Sequence, residues 1–104
     1  MTIKEGYLAK LKTYPQDEIK IVVTRTAKSV LSPSWNLIND YKTGRINWEE
    51  YTERFIQAMN NPTCQTELQR IKELARDRTV RLICYEKQYP CHRFILLKLL
   101  EDLP

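Results

Sequence analysis

Two cysteines, the only histidine, a glutamate and an arginine crowd into one short stretch, as Cys84-Tyr85-Glu86 and Cys91-His92-Arg93. A thiolate is a nucleophile and a soft metal ligand, an imidazole titrates near neutrality, and a guanidinium grips phosphate or carboxylate with a fork of donors. Val80, Leu82 and Cys84 alternate with Thr79, Arg81 and Ile83, which predicts a strand ending at Cys84. Lys87-Gln88-Tyr89-Pro90 then reads as a loop, and a helix opens at about Cys91. The first turn of a helix has unpaired N–H groups and the positive end of the dipole, so it favours an anion beside it. The same field is expected to lower the pKa of a thiol at Cys91.

The expected site therefore binds a small anion, a phosphate-bearing ligand or a nucleotide. Its predicted ligand-binding set is Arg25, Cys84, Glu86, Cys91, His92 and Arg93, with Arg25 and Arg93 as the countercharges. An enzymatic alternative makes Cys91 the nucleophile, His92 the base and Cys84 a resolving thiol. A third reading treats the motif as a structural latch, in which Glu86 pairs with Arg25 or Arg93 and the protein acts through its surfaces. Cys84 also suits a core position, and Tyr85 and Tyr89 could pack on the loop or stack on a base. Cys84, Glu86, Cys91 and His92 are all zinc-ligand types, but the cysteines stand further apart than the usual two to four residues, so no metal is expected. A phosphatase thiolate loop needs an arginine six residues after its cysteine, and Pro90 and Leu97 occupy those places. Without a Gly-rich phosphate loop no cofactor is expected.

The elements that must position these residues are legible from spacing. Ile3, Tyr7, Ala9 and Leu11 alternate with lysines, predicting an N-terminal edge strand at about residues 3–12. After the turn at Tyr14-Pro15-Gln16-Asp17, Ile19, Ile21, Val22 and Val23 predict a strand buried on both faces, closing at Thr24-Arg25. Ser32-Pro33 reads as the N-cap and first-turn proline of a helix carrying Trp35, Leu37, Ile38 and Tyr41, which Gly44 ends. Asn47 and Glu50 read as a capping box before the stripe Trp48, Tyr51, Phe55, Ile56 and Met59, so Trp35 and Trp48 are expected in the core or a lid. Asn61-Pro62 starts a third helix with Leu68, Ile71, Leu74 and Ala75 on one side. The last helix, to Leu103, is apolar on so wide a surface that it is expected either to be sandwiched in the fold or to be shared in a homodimer.

Strand, helices, strand, helix is the order of an α/β fold with parallel strands, in which ligands lie at the strands' carboxyl ends, here Arg25 and Cys84. At 104 residues the chain (1–104) is expected to be one α/β domain without a separate linker. No stretch of roughly 20 apolar residues is present and the first residues lack the apolar run of a signal peptide, so neither a membrane span nor secretion is expected. Three cysteines without framework spacing point to reduced thiols and a cytoplasmic setting. Residues 1–46 carry eight Lys or Arg against four acids, and residues 47–78 five against six. That asymmetry admits nucleic acid as a partner, although scattered lysines are more often a solvated face.

These residues resemble the family called domain of unknown function 488, in which a strand ends in Cys-x-Glu and a nearby helix opens with Cys-His-Arg. The resemblance takes in Leu31-Ser32-Pro33-Ser34, the stretch from Asp40 to Tyr51 and Arg25, and spans about Ile19 to Leu103. Thr26-Ala27 differs from the aromatic-and-proline pattern that similar proteins show after the arginine. What the resemblance implies is a small Rossmann-like α/β fold with a short, mostly parallel sheet flanked by helices, and no established reaction.

Overall fold

The three runs with strand periodicity pair with one another, all in parallel, in the computed structural model, which describes residues 2–25, 28–85 and 91–103. They are β1 (Thr2–Tyr7), β2 (Ile19–Val22) and β3 (Thr79–Cys84), in the order β1-β3-β2. Ile3, Val80 and Ile19 stand in register, with Lys4, Arg81 and Lys20 one step on. Because side chains alternate, Val80 and Leu82 face one side of the sheet, and Arg81 and Ile83 the other. Central β3 is the buried strand; edge strand β2 is only half-buried throughout. The expectation that β2 is buried on both faces is thus corrected: four residues at a rim leave it partly open to water.

β1 is the other edge strand, but it stops at Tyr7 rather than near residue 12, and Leu8–Thr13 winds into a 3-10 helix. The pairing partner runs out, since Tyr7 lies opposite Cys84, the last residue of β3. Tyr14 then folds back and its hydroxyl accepts the Tyr7 N–H at 3.0 Å. Its ring passes so close to Gly6 that a Cβ there would meet it at 2.7 Å, so any side chain at this position has to push the Tyr14 ring aside.

Between β2 and β3 the chain makes α1 (Trp35–Lys42), α2 (Trp48–Met59) and α3 (Pro62–Leu74), and α4 (His92–Asp102) follows β3. The N-cap of α1 is Ser34, which accepts from the Leu37 N–H, rather than Ser32. The Ser32 hydroxyl is engaged upstream, donating to the Ser29 carbonyl. Gly44 has φ of +78°, the left-handed conformation that glycine tolerates, and ends the helical path after Thr43. Asn47 and Glu50 form both hydrogen bonds of the capping box, and Asn61 caps α3 with Pro62 in its first turn. Asn47→Ala should cost about 1 kcal/mol, read as a lower urea midpoint at unchanged m-value. The cost falls on the helix that carries Trp48 and Tyr51 toward the site.

Val80 and Leu82 share one core cluster with residues of all four helices, among them Leu37, Phe55, Leu68 and Leu96. Within it α4 buries Ile95, Leu96 and Leu100 and half-buries Leu97 and Leu99, so its apolar surface is largely covered by its own chain. On the opposite face, Arg81 links the three strands. Its Nη1 donates to the Glu5 carbonyl of β1 at 2.8 Å, and its Nε and Nη2 grip the carboxylate of Glu18, next to β2, at 2.7 and 2.8 Å. The guanidinium also lies 4.2 Å from the Tyr14 ring centroid. No helix among the described residues is long and apolar enough to cross a membrane.

Candidate functional site

Parallel strands bring their carboxyl ends to one edge of the sheet. There the fold leaves a cavity of ≈ 590 Å³. Thr24 and Arg25 reach it from the end of β2, Cys84 and Tyr85 from the end of β3, and Cys91 and His92 from the start of α4. Pro33 and α1 residues Trp35, Ile38, Tyr41 and Lys42 make one wall, with Trp48 and Tyr51 from α2. That wall is rigid for a physical reason: the rings of Trp48 and Tyr51 stack at 4.9 Å, and Tyr41 leans on both at 5.6 and 5.3 Å. At the mouth, the exposed Arg25 guanidinium sits 5.7 Å from the ring centroid of Trp35, itself 53% exposed.

Cys84, Cys91 and His92 are buried together. The Cys91 thiol donates to the Cys84 sulfur at 2.7 Å, and His92 Nδ1 lies 3.7 Å from the first sulfur and 3.6 Å from the second. The other ring nitrogen, Nε2, is 2.7 Å from the Val23 carbonyl. A carbonyl only accepts, so in the neutral ring Nε2 carries the proton and the Nδ1 lone pair points toward the two sulfurs. Phe55 packs against the imidazole with ring centroids 5.6 Å apart, holding it in place.

The expectation of an acidified Cys91 is overturned. Its hydrogen bond to Cys84, followed by burial, pushes the thiol well above the ordinary range, and these outweigh the backbone N–H of Arg93, which favours the thiolate. A helix N-terminus acidifies a thiol only where the remaining surroundings allow charge.

Of the residues expected to form the site, Arg25, Cys84, Cys91 and His92 line one cavity. Arg93 does not. Its side chain is 1% exposed and turns to β1, where Nε donates to Glu5 Oε2 at 2.7 Å, and the guanidinium lies 4.6 Å from the Phe94 ring centroid. Glu86, Tyr89 and Thr26-Ala27 lie outside the described residues. Reading the motif alone misses the wall from α1 and α2, among it Trp35, Tyr41, Lys42, Trp48 and Tyr51; the family resemblance from Asp40 to Tyr51 and the aromatic recurrence at positions 41, 48 and 51 are the sequence signals for most of it.

A family model described as the active DUF488-N3 subclade, DUF488-N3a, matches residues 22–103. The chain belongs to the DUF488 family. No curated protein and no solved structure matches it. The matched span of this DUF488 domain takes in every cavity-lining residue, but leaves out β1 and with it Glu5, the partner of Arg93.

Proposed function

We propose that this DUF488 domain binds a small anion attached to a flat ring, a ligand of the nucleotide class, in the cavity at the ends of β2 and β3. One observation carries the reading: among the described lining residues there are two cations, Arg25 and Lys42, no carboxylate, and an aromatic wall. Cations at a partly apolar mouth attract a phosphate, and the exposed Trp35 and half-buried Trp48 offer ring area that an inorganic ion cannot use, with Tyr51 backing Trp48 from behind. The net charge of +4 favours the encounter. The countercharge role first divided between Arg25 and Arg93 thereby falls to Arg25 and Lys42. A standing thiolate at Cys91 is disfavoured by its hydrogen bond and burial, which weighs against nucleophilic catalysis by that residue alone.

The test is thermal stability with inorganic phosphate, nucleoside monophosphates and the matching nucleosides. A ligand at a hundredfold excess over its Kd stabilises the native state by about 2.7 kcal/mol. The expected result is an upward shift with nucleotide, a smaller one with phosphate or nucleoside, and loss of most of the nucleotide shift in Arg25→Ala. Since Arg25 is exposed, that variant should melt where the parent does in plain buffer. Equal nucleotide shifts in parent and variant, or no shift with any anion, would remove the proposal.

A further inference from the structure

We propose that Cys84 Sγ, Cys91 Sγ and His92 Nδ1 form a zinc(II) site whose fourth position opens into the cavity. Each residue offers one ligand atom, and the three lie within 4.8 Å of one another. Distances within the trio bear directly on this. With Zn–S of about 2.3 Å and Zn–N of about 2.05 Å, a tetrahedral centre sets each sulfur about 3.6 Å from the nitrogen and the two sulfurs about 3.8 Å apart. The observed sulfur-to-nitrogen distances are 3.7 and 3.6 Å, already those of a tetrahedral edge. Only the sulfur pair, at 2.7 Å, has to open, by about 1 Å, as its shared proton gives way to the metal and the thiol protons pass to buffer.

The surroundings agree with the donor set. His92 presents Nδ1 because Nε2–H is held by the Val23 carbonyl, the outer contact that fixes a metal-binding imidazole. Two thiolates balance the charge of Zn²⁺, so the buried group is neutral overall and its desolvation tolerable. A sulfur-rich set of this kind selects zinc over magnesium or calcium, which take oxygen ligands. The objection from spacing loses its force because the cysteines do not share one knuckle: Cys84 ends a strand and Cys91 caps the next helix. All three ligands line the cavity, so among the described residues the centre has three ligands and one open position, the form of catalytic rather than structural zinc. The inference rests on this trio and not on the anionic ligand.

The test is a cobalt(II) titration of the metal-stripped protein, reduced with a phosphine, followed by zinc competition. The expected outcome is one cobalt per chain with intense visible bands of a tetrahedral ion and a thiolate charge-transfer band, both erased by zinc. Cys91→Ser and His92→Gln should each weaken zinc binding at least about 100-fold, beyond the upper end of what losing a ligand's outer hydrogen bond costs. Cys64→Ser should change nothing, since that thiol sits elsewhere, donating to the Val30 carbonyl. A pale octahedral spectrum without charge transfer, or one abolished by Cys64→Ser, would overturn the site. Should a ligand variant fail to fold, the parent's charge-transfer band still decides, through the presence or absence of thiolate coordination. No phosphate compound enters the titration, so its failure would leave the anion reading standing, and the thermal-shift result says nothing about zinc.

Discussion

Arg81→Met should destabilise the domain by about 3–5 kcal/mol, the cost of stranding one member of a buried ion pair. The Arg81 and Glu18 side chains are only 13% and 4% exposed, so the carboxylate left behind has little access to water. Loss of the Nη1 bond to the Glu5 carbonyl adds to the damage by loosening β1 from β3. The double variant Arg81→Met with Glu18→Met should recover much of the loss, because two apolar side chains of similar length leave no unpaired charge. Urea denaturation of the parent, Arg81→Met, Glu18→Met and the double variant closes the cycle; equal stability of Arg81→Met and the double variant would mean that the pair is not what holds this face. A pH dependence follows. The side-chain hydrogen bond from Arg81 holds the Glu18 carboxyl below its ordinary value of 4.5. A depressed folded value means that the native state holds its proton less tightly than the unfolded chain, so the stabilisation is full above the unfolded value. It is lost as pH falls through the depressed folded value. Glu18→Gln should therefore flatten the acid limb of stability against pH. Part of the slope remains, because the hydrogen bond from Arg70 lowers Glu67 in the same way.

Signals confined to a few neighbouring residues translate directly into structure. The capping box needs only Asn47 and Glu50, and both of its bonds form as the sequence implies. Alternation at Val80, Leu82 and Cys84 followed by a turn and an apolar helix suffices to place the three buried site groups Cys84, Cys91 and His92 at a strand-to-helix junction. Errors arise where a distant partner decides. Alternation continues through Ala9 and Leu11, but a strand lasts only while it has a neighbour, and β3 ends opposite Tyr7. A local ambiguity also misleads: Ser32 and Ser34 flank Pro33 symmetrically, and it is Ser34 that caps the helix while the Ser32 hydroxyl donates to the Ser29 carbonyl. At the site, the helix-terminus field at Cys91 is a local expectation, whereas the sulfur beside it comes from another element and reverses the result. Arg93 is the clearest case: its partner Glu5 lies 88 positions away in the chain, and no periodicity could have linked them.

Arg93→Ala should lose about 3 kcal/mol, the low end for breaking a buried pair, because Glu5 is 39% exposed and can regain water. The arginine stands in the first turn of α4, where the dipole disfavours a cation, so Glu5 offsets an intrinsic electrostatic penalty as well as fastening the helix to β1. Truncation also empties a volume that is fully enclosed beside Phe94. For a domain of this size the loss corresponds to a midpoint lower by roughly 10–20 °C. The same substitution should leave the nucleotide-induced shift nearly intact, since Arg93 does not line the cavity. Arg25→Ala is expected to behave in the opposite way, with an unchanged melting point and a lost shift. Placing the two variants side by side separates a residue that holds the fold from one that holds a ligand, although both are arginines at the same end of the sheet. An Arg93→Ala protein that melts with the parent but no longer responds to nucleotide would mean that the guanidinium leaves Glu5 and turns into the cavity when the ligand arrives. Arg93 would then act as a binding residue, beside Cys91 and His92, instead of fastening α4 to β1.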